Sequence, residues 1–155
     1  MKTKLIKTTM CSLLFASSLV TLAAVAMTSA TARADSDGSS CGVDTLHASY
    51  LFATHGWNII GGVAQPKAIV EGIDFNGDGT LVSPFATVSI NGTIVRTTGT
   101  VGTYTVNPDC TGTITFTAGP SFDIFVHPTA KQLWMIQTGG AVPAVFEGTA
   151  TRVSH

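Results

Sequence analysis

From His47 onward the chain alternates. Apolar and polar side chains exchange places every second residue in runs rich in Thr, Val, Ile and Phe, and each run stops at Gly, Asn, Asp or Pro. A period of two is the mark of a strand whose faces see different surroundings. No window of about 11 residues beyond the first 34 carries helical spacing. Eight strands are predicted: His47–Trp57, Ala64–Phe75, Thr80–Ile90, Thr93–Val106, Gly112–Thr117, Ser121–Val126, Lys131–Gln137 and Ala144–Val153. Between them lie turn sequences: Asn76-Gly77-Asp78-Gly79, Asn91-Gly92, Asn107-Pro108-Asp109, Gly119-Pro120, His127-Pro128 and Gly139-Gly140. Asn-Gly is the strongest short hairpin signal, because a type I′ turn needs positive φ at both central residues. Short links make successive strands antiparallel neighbours. Eight in up-and-down order close into an all-β barrel with no free edge and room for side chains or one small ligand. A β-sandwich is the alternative, since strand order is not written in one sequence.

The alternation also assigns faces. In the second strand Ile69, Glu71, Ile73 and Phe75 share one face, and Ala68, Val70, Gly72 and Asp74 the other. The first is more apolar, so it is expected inside and takes Glu71 with it. A carboxylate in an apolar interior has its pKa raised and can act as acid or base near neutral pH, which makes Glu71 the candidate catalytic residue. Two plainer readings stand beside this: a register with Val70 inward and Glu71 in water, or a structural pair with Arg96. Tyr50, Phe52, Tyr104, Phe116, Phe122, Phe125, Trp134 and Phe146 are spread over many strands. Either they fill the core, or Tyr50, Phe52, Ile69, Ile73, Tyr104, Phe116 and Trp134 line a ligand. Glu147 alternates away from Phe146 and reads as a surface residue. The sixth and seventh strands are apolar on both faces, with Phe125 opposite in sense to Phe122 and Ile124, and Trp134 and Ile136 opposite to Leu133 and Met135. An outward apolar face needs a cover, and a second subunit supplies one, so a homo-oligomer is expected.

The N-terminus changes the charge picture. Lys2, Lys4 and Lys7, then an apolar stretch from about Leu13 to Met27, then Ala32-Arg33-Ala34 have the order of a secretory signal peptide covering residues 1–34. Ser17, Ser18 and Thr21 interrupt the apolar stretch, so no permanent membrane span is expected. Residues 35–46 read as a polar leader and 47–155 as the barrel domain. Cleavage leaves Lys67, Arg96, Lys131 and Arg152 against nine carboxylates, a net charge of −5. So acidic and sparse a set does not suit nucleic acid. Cys11 departs with the signal. Cys41 and Cys110 remain, and in an oxidising compartment a lone pair bonds. The protein is thus expected to be exported, periplasmic or secreted, with one disulfide.

Other motifs are weaker. Asp74, Asn76 and Asp78 occupy the first oxygen positions of a calcium loop, but Phe85 stands where the bidentate Glu belongs. A Gly-rich hairpin is the plainer reading, with calcium as the alternative. Asn91-Gly92-Thr93 is read as turn chemistry rather than a glycosylation site. The four histidines have no ligand spacing, and no hydrolase or nucleotide motif is present, so no cofactor is expected.

The segment Gly99-Thr100-Val101-Gly102-Thr103-Tyr104-Thr105-Val106-Asn107-Pro108-Asp109-Cys110-Thr111-Gly112-Thr113 resembles a phrase of small exported bacterial proteins. Asp74 to Gly79 and Gly148-Thr149-Ala150-Thr151-Arg152 fit it too. Those proteins resemble the barrel of allene oxide cyclase and dirigent proteins. The resemblance implies a small-molecule barrel, often trimeric; none of those enzymes' catalytic motifs is matched residue by residue. Three functions follow: a barrel holding an apolar or aromatic small molecule, a cyclase or isomerase using Glu71 in the same cavity, or a structural or interaction protein with a filled core.

Overall fold

The computed structural model describes residues 40–154; the segment read as a signal peptide lies outside them. Ten strands form: β1 His47–Ile60, β2 Val63–Asn76, β3 Thr80–Ser83, β4 Ala86–Ile90, β5 Thr93–Thr97, β6 Thr100–Val106, β7 Thr111–Phe116, β8 Ser121–Val126, β9 Gln132–Gly139 and β10 Ala144–Ser154. The eight predicted runs are all present. The third and fourth are each cut in two, at Pro84-Phe85 and at Thr98-Gly99. Proline has no N–H for the ladder, and Gly99 takes a φ of 66°. The Asn91-Gly92 turn has the expected pair of positive φ values, 47° and 85°.

The chain closes as an eight-stranded antiparallel barrel in the order β1-β10-β9-β8-β7-β6-β3-β2, with β2 returning to β1. This settles barrel against sandwich. The long strand β2 serves two partners along one edge: Asp74 and Phe75 pair with β3, and Lys67 to Glu71 pair with β4. Below the break the β3–β6 pair belongs to the barrel wall; above it the β4–β5 hairpin extends from the wall.

One end of the barrel is shut. Tyr104, Phe75 and Tyr50 stack edge to face, with centroids 4.9 and 5.3 Å apart. Leu46 is fully buried beneath them. From the segment read as a leader, Cys41 and Leu46 join the core; between them the 3-10 turn Val43–Thr45 folds across the end, and the expected disulfide ties Cys41 to Cys110 with Cα atoms 5.0 Å apart. The Tyr104 hydroxyl lies 2.8 Å from the carbonyls of both Val43 and Leu46, and accepts from the Gly77 N–H at 3.1 Å. The Tyr50 hydroxyl donates to the Ala130 carbonyl at 2.6 Å. Each aromatic ring is buried and its polar tip satisfied, as such residues require.

The β2–β3 and β6–β7 turns at this end use one device twice, the sequence Asn-x-Asp-x-Thr. In the first, Thr80 donates its N–H and hydroxyl to one Asp78 oxygen, at 2.9 and 2.6 Å, while the Asn76 amide donates to the Thr80 hydroxyl. Thr111, Asp109 and Asn107 repeat the pattern at 3.0, 2.6 and 3.1 Å. A short polar side chain that bonds the backbone two residues on is what fixes such turns.

Candidate functional site

The other end is open. The β4–β5 hairpin and the turns at residues 116–121 and 139–144 border a cavity of about 470 Å³. That lies within the range of small-molecule sites. Its walls are Ile69 of β2, Val88 of β4, Val95 of β5, Phe116 of β7, Phe122 of β8 and Phe146 of β10. Phe52 packs edge to face on Phe122 and Phe146 from below, at 6.1 and 6.2 Å, and so separates the cavity from the core. The inner face of β1 reaches this height through Gly56, where a Cβ would fall 2.3 Å from the Val145 carbonyl oxygen. Any larger residue there would push β1 and β10 apart.

Two charged side chains reach the cavity from the inner face of β2. Glu71 is 7 % exposed. Burial pushes its carboxyl above the ordinary range, while the Ser83 hydroxyl and the Lys67 ammonium pull it back. Lys67 is half-buried; burial draws its ammonium below the ordinary range, and the Glu71 charge opposes this. Its Nζ stands 4.0 Å from the Phe146 ring centroid and donates to Gln137 Oε1 at 3.1 Å. A cation over an aromatic face is favoured, so the ring offsets part of the lost hydration. Chemically, the cavity offers apolar walls, a carboxyl biased toward its neutral form and an amine at the side.

A second cleft of about 360 Å³ adjoins it, sharing Lys67, Ala118, Gly119, Pro120 and Ala141, and adds Asn58, Gln137 and Gly140.

No family model, curated protein or solved structure matches this chain.

The sequence-derived candidates fall in different places. Glu71, Ile69 and Phe116 meet in the cavity. Tyr50, Phe52, Ile73 and Tyr104 belong to the packed core. Trp134 is a correction: it stands on the outer face, 43 % exposed, against Phe125 at 5.9 Å, and no part of the interior wall is made by it. Val70 faces outward, which removes the register that would have placed Glu71 in water. Arg96 sits exposed on β5, and the cation that acts on Glu71 is Lys67. In the calcium-like segment, Asn76 and Asp78 are engaged by Thr80 within the turn. Sequence reasoning missed Lys67 and Asn58, although period two was signal enough: Lys67 is two residues before Ile69 on the same face.

Proposed function

We propose that the open end of the barrel holds an apolar small molecule. The observation that carries this reading is the cavity of about 470 Å³ walled by Ile69, Val88, Phe116, Phe122 and Phe146. Apolar walls with a few converging polar groups are the usual form of a ligand site. The disulfide fits an exported protein, and no helix among the described residues is long and apolar enough to cross a membrane. Native mass spectrometry of protein purified from its own host tests the reading: a retained small molecule is expected, and Ala118→Trp at the rim should abolish it. Empty protein that also fails to bind an uncharged apolar dye would overturn it.

Catalysis in the same cavity, of the cyclase or isomerase kind, is the second reading, and the raised pKa of Glu71 favours it. A neutral carboxyl can donate a proton and its anion can take one back. Glu71→Gln should then retain ligand and lose turnover.

A homo-oligomer, with a trimer as the form implied by the resemblance, is part of the same proposal. Phe125, Trp134 and Ile136 stand 46, 43 and 53 % exposed on adjacent strands. A second copy of the chain would remove this surface from water. Light scattering at micromolar concentration checks it: a clean monomer rejects the oligomer, and Trp134→Glu should dissociate one that forms.

A further inference from the structure

The cavity and the cleft beside it differ in chemistry. The first is walled mainly by hydrocarbon, with Glu71 reaching in; the second adds Asn58 and Gln137 beside Ala141 and Val142, with Lys67 common to both. A molecule filling both would be apolar at one end and polar at the other.

The cleft also carries a defect. Asn58 is 5 % exposed on the inner face of β1, and its Oδ1 is enclosed with no hydrogen-bond partner. Leaving such an acceptor unpaired costs about 1–3 kcal/mol. Its neighbours do not supply the missing donor. Gln137 Oε1 accepts from Lys67, and its Nε2 turns one N–H to the Gly139 carbonyl at 3.1 Å rather than to Asn58. Lys67 is drawn away to Gln137 and the Phe146 ring. An acceptor buried to this degree without a protein partner calls for an explanation, and a role in holding a molecule in the cleft is one.

We propose, building on the ligand-binding reading above, that the site takes a carboxamide-headed amphiphile, its hydrocarbon chain in the cavity and its amide in the cleft. The amide N–H supplies the donor that the Asn58 amide lacks, and the amide carbonyl accepts from Lys67. A carboxylate head would satisfy Lys67 but bring no donor to Asn58 Oδ1. An alcohol has one proton to give and a weaker acceptor to offer Lys67.

Three probes of equal chain length separate these heads: octanamide, octanoate and 1-octanol, each displacing the uncharged dye N-phenyl-1-naphthylamine from the full disulfide-bonded protein. Octanamide is expected to displace it at about tenfold lower concentration than either competitor, a difference of ~1.4 kcal/mol. Asn58→Leu should erase that preference, octanamide then displacing the dye no better than 1-octanol. Octanoate or octanol matching octanamide would overturn the amide head while the cavity reading stands, and so would a preference that survives Asn58→Leu. If the dye and all three probes fail to bind, the cavity reading falls and takes this inference with it. The wild-type series decides the head group even if the variant does not fold.

Discussion

The two ends of the barrel are built from the same strands and obey opposite rules. At the shut end every inward ring is in contact with another ring, and the hydroxyls of Tyr50 and Tyr104 reach backbone carbonyls. At the open end the inward positions of the same β1 and β2 become Asn58, Lys67 and Glu71, with a partner missing at Asn58 and burial opposing the charge of the other two. One half is optimised for packing. The other carries unfavourable terms, as functional sites commonly do. Dense packing and strained polar groups are therefore divided along the barrel axis, and changes at one end should be felt little at the other.

The sharpest contrast is in the cost of side-chain deletion. Phe75→Ala, in the shut end, should destabilise by about 3–5 kcal/mol, the range for a buried aromatic. Val88→Ala, on the cavity wall, should cost under ~1.5 kcal/mol, because its side chain already borders empty space. Urea denaturation of both variants gives the comparison, and equal losses would erase the distinction between the ends. Next in size is the disulfide. Replacing both Cys41 and Cys110 by Ser frees a loop whose ends are 69 residues apart in sequence, worth about 4 kcal/mol at most. Dye affinity of the fraction that remains folded should not change.

A smaller effect, of opposite sign at the two ends, is expected from pH. The Glu71 carboxyl is raised by burial, so its contribution to stability is present below the unfolded pKa and is lost as pH rises through the folded one. Glu71→Gln should flatten that decline, which melting curves from pH 4 to 8 would reveal. Asp78 and Asp109 are lowered, chiefly by the hydroxyls of Thr80 and Thr111. Their contribution is present above the unfolded pKa and fades as pH falls. In NMR titrations the amides of Thr80 and Thr111 should follow these acids, and the Glu71 side chain should move at higher pH. A Glu71 that titrates at or below the free value would remove it from the interior.

Much of the architecture is legible in the sequence because period two and turn chemistry are local. Asn91-Gly92 reports its own backbone, and the face shared by Glu71 and Ile73 follows from counting. Locality is also the limit. Pro84 and Gly99 are visible as punctuation, but that they split a hairpin into a barrel half and a projecting half depends on which strands pair on either side of the breaks. Trp134 was ambiguous because Leu133 and Met135 are equally apolar, so nothing in the strand distinguishes in from out. The cavity is harder still. Phe52 and Phe116 look alike in the chain, and only their height along the barrel makes one a floor brace and the other a wall.

Up-and-down order has a consequence for how the barrel is reached from the unfolded chain. Six of its eight seams join strands that follow one another; β3 meets β6 across the β4–β5 hairpin, and only β1 with β10 joins the two ends of the domain. Local hairpins form early at small entropic cost, whereas the last seam must close almost the whole domain at once. The Cys41–Cys110 bond anchors the start of β1 beside the β6–β7 turn, so in the oxidised chain that final search spans only the segment from β7 to β10. The protein assembles as a zipper with a single latch, and oxidation moves the latch to within reach of its catch.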